Sequence, residues 1–180
     1  LYQNKQYNEV LQLTKLNTSG NLWLFGGACY KTLSNLLYNT KAEFKDFDFF
    51  AEKINEPIQL IINWKRIYGK FANPKFQQIK GDFKLDIVPL NNIYHIKEKL
   101  LSPSINNFLK VAPLNIFSLI FDIDNEQLIG EIGKQALEGR VVKVNNIKSA
   151  EEMAERYETT IKKIIEKRAK ELNFKAEYPC

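Results

Sequence analysis

"LWLFGGACYKTLSNLLYNTKAEFKDFDFF", residues 22–50, decides how the rest of the chain is read. It opens as a wholly apolar run, Leu22 to Phe25, suited to a buried strand, meets the pair Gly26-Gly27, and continues from Ala28 to Leu37 at helical spacing. It returns at Phe47 to Ala51 as an aromatic-rich strand with Asp46 and Asp48 at its start. On a strand, residues i and i+2 share a face, so both carboxylates emerge side by side while Phe47 and Phe49 turn into the core. Two anions held this close repel each other, and aspartate is a poor strand residue, so the arrangement is costly unless a cation sits between them. Mg²⁺ suits such a place, because it takes carboxylate oxygens and keeps room for phosphate oxygens.

A third carboxylate stands in "FKLDIVPL", where Asp86 interrupts the apolar run of Leu85, Ile87 and Val88. If that strand lies beside the first, three carboxylates converge. Such a triad can hold two Mg²⁺ ions about 3.5–4 Å apart for an in-line displacement, with Asp86 as base or ligand for the attacking hydroxyl. Gly26-Gly27 sits at a strand-to-helix junction, where missing side chains let a phosphate approach the free N–H groups of the helix start. Lys31, one turn in, can add a positive charge. A glycine pair is also what a tight turn needs, and Asp-x-Asp recurs at Asp122 and Asp124, which reads as a hairpin turn through Asp124-Asn125. What joins the first set is order: Gly-Gly, helix, Asp-x-Asp strand, helix, then a lone Asp on an apolar strand.

The other elements follow from spacing. A weak helix is expected from Leu1 to about Lys15, and a helix begins at Pro57 with Ile58, Ile61, Ile62 and Lys65 on one face. Strands at Phe76–Ile79 and Phe83–Val88 meet through Gly81-Asp82. Short helical pieces fill Asn91 to Lys110, and an irregular stretch runs from the turn at Asp124-Asn125 to Asn146. From Ala150 to Leu172 an apolar stripe predicts one long amphipathic helix. Its Glu-to-Lys or Glu-to-Arg pairs at i,i+4 fit a solvated face, and its Arg156, Lys163, Lys167 and Lys170 could also track an RNA backbone.

The chain has 180 residues, 44% hydrophobic and 26% charged, enough for one well-buried core. We expect a catalytic domain over residues 1–146 and a helical extension over 147–180. No stretch approaches the roughly 20 apolar residues of a membrane span, and we expect no secretory leader. With Cys29 and Cys180 far apart, this points to a cytoplasmic protein without a disulfide framework. Cys29 reads as a buried filler and His95, the single histidine, as structural or surface. The net charge of +5 permits a polyanionic partner. Lys65, Arg66, Lys70, Lys75 and Lys80 alternate with Trp64, Tyr68, Phe71 and Phe76 and no acid. Either the rings stack on bases beside phosphate-binding lysines, or they face the core under a wet surface.

The ordered pattern of "LFGGACYKTL" and "DFDFF" resembles the nucleotidyltransferase superfamily of the DNA polymerase β type, and most of all the head domain of bacterial poly(A) polymerases and tRNA CCA-adding enzymes. The likeness covers roughly residues 20 to 145. It implies an α+β fold, a mixed sheet flanked by helices, and Mg²⁺-dependent transfer of a nucleoside monophosphate from an NTP to an acceptor hydroxyl. Asp46, Asp48 and Asp86 match the metal-binding carboxylates and Gly26 and Gly27 the triphosphate loop. The segment "PLNIFSLIFDIDNEQLIGEIGKQALEGRVVKV" is similar in layout to the family segment that places Asn115 and Arg140 near the nucleotide. This sequence departs from the family at Tyr30-Lys31, where an Arg-Asp pair is usual, and in having only Lys110 as a basic lead-in to Asn115. The expected partners are an NTP and RNA. Transfer to a protein or small molecule, and a binding module without turnover, are the alternatives.

Overall fold

The aromatic run that carries Asp46 and Asp48 becomes the middle of the sheet. The computed structural model describes residues 5–68 and 73–179. In chain order its elements are α1 (Lys5–Leu16), β1 (Thr18–Phe25), α2 (Gly26–Tyr38), β2 (Asp46–Ile54), β3 (Trp64–Ile67), β4 (Lys75–Gln78) and β5 (Lys84–Pro89). A 3-10 turn at Leu90–Asn92 leads to α3 (Tyr94–Glu98) and α4 (Ile105–Val111), and a second at Asn115–Phe117 leads to β6 (Ile120–Asp122) and β7 (Gln127–Ile129). The chain continues with α5 (Glu131–Gly139), β8 (Val141–Val142), α6 (Ile147–Arg156), α7 (Ile161–Leu172) and β9 (Lys175–Ala176).

Among the described residues, β1 to β7 form one sheet in the order β3-β4-β5-β2-β1-β6-β7. Pairing is antiparallel except between β2 and β5, which run parallel. The fold is therefore α+β with a mixed sheet flanked by helices, as expected.

Alternation along β2 divides the core in two. Phe47 and Phe49, at most 1% exposed, face the larger cluster with Tyr7, Val10 and Leu13 of α1, Ala28 and Cys29 of α2, and Ile164, Ile165 and Leu172 of α7. Phe50 turns to the other face and joins Trp23, Ile93, Ile96, Phe108, Val111 and Ile120. There its ring stacks on Phe25 at 3.7 Å and meets the edge of Phe108 at 4.6 Å, which fixes α4 over that end of the sheet.

Three expectations are corrected. No helix follows Pro57: the segment to Asn63 is irregular and is held to Asn17, whose Oδ1 accepts from Gln59 N and whose Nδ2 donates to Gln59 O. Ile58 and Ile61 still pack against the main core, but Ile62 is 88% exposed, so the spacing does not form one buried helical face. The single long C-terminal helix is instead α6 and α7, broken at Tyr157 to Thr160. Thr160 caps α7 by accepting from Lys163 N, Glu158 takes positive φ, and the stripe survives in sequence because the break spans about one turn. The stretch after Asn125 is not irregular but contains α5, which docks on the 3-10 turn at Asn115–Phe117 through Gly133. A Cβ there would lie 2.4 Å from Ser118 O.

The residues from 147 onward share the core of the sheet domain, and β9 pairs with β8 in parallel. Among the described residues, no helix is long and apolar enough to cross a membrane.

Phe50→Ala removes a side chain that is 1% exposed and touches both Phe25 and Phe108. It should lower stability by about 3–5 kcal/mol, read as a reduced urea midpoint at unchanged slope.

Candidate active site

The parallel register of β2 and β5 sets Asp48 directly opposite Asp86, with Leu85 opposite Phe47 and Ile87 opposite Phe49 on the buried face. Asp46 lies two residues before Asp48 on the same face, opposite Lys84. The three predicted carboxylates thus occupy one patch of the sheet, on the floor of a cleft of about 1020 Å³. Asp46 is exposed, and Asp48 and Asp86 are half-buried. Phe25, Gly27, Tyr94, His95, Arg156, Tyr157 and Arg168 also line the cleft.

Gly26 explains the glycine pair. β1 ends at Phe25, which pairs with Asp48, and Gly26 then takes φ +67° to start α2. A Cβ at this position would stand 2.7 Å from Asp48 Oδ2. Glycine is required here twice over, for its backbone angle and for the space it leaves to a carboxylate.

The electrostatics are those of crowded anions. Burial, then the neighbouring carboxylates of Asp86 and Asp46, push the Asp48 carboxyl up to about 7, against the opposing pull of Lys75. Burial also raises Asp86, although Lys75 Nζ lies 2.7 Å from its Oδ2 and acts the other way. The second Asp86 oxygen, Oδ1, is buried with no hydrogen-bond partner. Among the described residues, no group of three or more His, Cys, Asp or Glu side chains is gathered closely enough to hold a metal ion as it stands. The donor chemistry nevertheless suits a hard divalent cation: carboxylate oxygens on one face, one of them unpartnered, under mutual repulsion that a cation would relieve.

The remaining candidates fall in different places. Lys31 lines the cleft, but its Nζ is 3.1 Å from Glu171 and donates to Glu43 O. Glu171 also accepts from Arg168 at 2.8 Å, so one carboxylate braces two cations on the wall. Sequence reasoning missed Arg168, for which the only signal was its place on the α7 stripe. Asn115 is buried away from the cleft, where Oδ1 accepts from Lys143 N and Nδ2 donates to Val141 O. Arg140 is exposed beyond α5 with its guanidinium 5.1 Å from the Tyr38 ring centroid.

Of the basic segment, Trp64 and Phe76 are core residues and Tyr68 is 89% exposed. Lys70 and Phe71 lie outside the described residues, as does Cys180. Asp122 and Asp124 serve the β6–β7 turn: Asp122 accepts from Trp23 Nε1 and Asn125, and Asp124 from Leu22 N. Cys29 is buried, its thiol pushed up to about 12, which removes it as a nucleophile. His95 is tied to Glu152 at 2.9 Å.

Comparison with solved structures finds the same fold elsewhere. A CCA-adding enzyme solved with ATP superposes over 96% of this chain and 39% of its own, with a TM-score of 0.61 and 18% identity. The Bacillus stearothermophilus CCA-adding enzyme in complex with CTP covers 97% and 41%, with a TM-score of 0.55 and 17% identity. A tRNA-processing enzyme complex covers 93% and 43% at a TM-score of 0.55 and 18% identity. The chain has the fold of these proteins and spans about two fifths of their length. No protein-family profile matches it, and no curated protein matches it by sequence.

Because the folded value of Asp48 lies above its ordinary 3.8, the unfolded chain gives up this proton at lower pH than the folded one. Stability of the metal-free protein should therefore fall as pH rises from about 4 to about 7. Asp48→Asn should be more stable than the parent at pH 8, by roughly 2–4 kcal/mol, and equal to it below pH 4. Thermal melts in chelator at the two pH values check this, and a variant no more stable at pH 8 would refute the burial and crowding of charge at Asp48.

Proposed function

We propose that the protein is a nucleotidyltransferase that moves a nucleoside monophosphate from an NTP to an acceptor hydroxyl, releasing pyrophosphate, and that the acceptor is the 3′ end of an RNA. The observation that carries this reading is the side-by-side placement of Asp48 and Asp86, with Asp46 beside them, against the N-terminus of α2 at Gly26-Gly27. The shared fold supports it, since solved neighbours are CCA-adding enzymes with ATP and with CTP.

On this reading each part has a task. Asp46, Asp48 and Asp86 would hold two Mg²⁺ ions, which when bound neutralise phosphate charge and acidify the attacking hydroxyl. Asp86 Oδ1, buried and without a partner, would take that hydroxyl's proton. The N–H groups of the first turn of α2 face the triphosphate, which approaches closely because Gly26 and Gly27 carry no side chain. Lys31 and Arg168, braced by Glu171, add positive charge on the cleft wall. Asn115 and Arg140 act through the scaffold, the first by tying the 3-10 turn at Asn115–Phe117 to β8 and the second by ending α5 over Tyr38. Divalent ions bound at these carboxylates would also offset the burial and the neighbouring anions that raise Asp48.

Incubation with each α-labelled NTP and Mg²⁺, with and without an oligoribonucleotide, tests the proposal. Label should pass to the RNA with release of pyrophosphate, and Asp48→Ala should lower the rate by about 10³-fold or more, corresponding to roughly 4 kcal/mol of transition-state stabilisation. Label on the protein or on a small hydroxyl compound would replace RNA as the acceptor. Absence of transfer to any acceptor, or full activity in Asp48→Ala, would overturn the assignment.

A further inference from the structure

The strand pairing lays out two rows of side chains across the cleft face of the sheet. One row runs Lys65, Gln77, Lys84, Asp46, and the next runs Ile67, Lys75, Asp86, Asp48, each residue opposite the following one on the adjacent strand. Partnered residues stand on the same face. Three neighbouring strands, about 4.8 Å apart, therefore each present a lysine to this face, Lys65 and Lys84 in one row and Lys75 in the next, and both rows end at the carboxylates. Lys65 and Lys84 are exposed, and neither forms an ion pair among the described residues. Lys75 touches Asp86 and keeps further N–H donors.

We infer that the cleft face of β3, β4 and β5 is a track for a single-stranded RNA whose 3′ end lies at Asp86 and whose upstream phosphates lie over Lys84, Lys75 and Lys65. This rests on the transferase reading above and specifies which surface holds its acceptor and in which direction. The charge pattern selects the occupant. An RNA strand has a neutral hydroxyl at its 3′ end and a phosphate at every step behind it, and the surface has carboxylates at one end and cations behind them. An acidic peptide carries negative charge throughout, and its leading residues would meet Asp46 and Asp86.

The test is binding of a fluorescent oligoribonucleotide by anisotropy, in the absence of NTP, over a salt series. Lys65→Gln/Lys84→Gln should weaken binding about tenfold near 0.1 M salt and reduce the slope of log K against log salt by about 1.4, the value for losing two single-strand phosphate contacts. A control that removes two exposed charges elsewhere, Lys53→Gln/Lys148→Gln, should leave both nearly unchanged. The parent should prefer an RNA ending in a 3′-hydroxyl over one ending in a 3′-phosphate. Equal losses in the two double variants, unchanged binding in the first, or competition by polyglutamate as strong as by RNA would each overturn the track. The transferase reading fails separately. Loss of RNA affinity in Lys65→Gln/Lys84→Gln with no transfer by the parent would support the track and remove the activity. Transfer to RNA with unchanged affinity in that variant would do the reverse.

Discussion

The parallel pairing of β2 with β5 is the constraint on which the site rests. Its register is set on the buried face, where Phe47 and Phe49 pack beside Leu85 and Ile87, and the opposite face simply inherits the consequence that Asp48 stands against Asp86. A slip of one residue would drive Asp86 into the core and lift Leu85 into the cleft. Apolar packing thus holds together charges that repel, which is the arrangement needed where charge crowding serves a ligand and not the fold.

The same register carries through to neighbouring elements. β1 ends beside Asp48, so the helix that follows begins at the carboxylates, and the positive φ of Gly26 is what lets chain and side chain share that corner. On the other side β4 delivers Lys75 to Asp86, giving the patch a cation from within the protein. Arg168 and Lys31, joined through Glu171, line the same cleft. Anionic floor, cationic edges and a helix start therefore meet around one cleft.

Much of this was legible from residues 22–50 and "FKLDIVPL", because strand alternation and the glycine-led turn are local signals. The wrong helix after Pro57 arose from apolar residues spaced like a helix face, where Asn17 instead captures the chain by its backbone. The merged C-terminal helix arose because Tyr157 and Ile161 keep the stripe in phase across a break that Thr160 caps. Asn115 and Arg140 follow from likeness in layout, which does not specify which way a side chain turns, and their partners are strand and ring groups distant in sequence. Arg168 was illegible for the same reason. Its place on the wall depends on how α7 docks, and no local spacing encodes that.

The docking of α7 has a mechanical consequence. One side of this helix supplies Ile164, Ile165 and Leu172 to the main core, while Arg168 on another side lines the cleft. Swinging that wall outward would expose those apolar side chains to water. The position of this wall is therefore set by the same core that holds the sheet, and the Glu171 carboxylate keeps Arg168 and Lys31 against it.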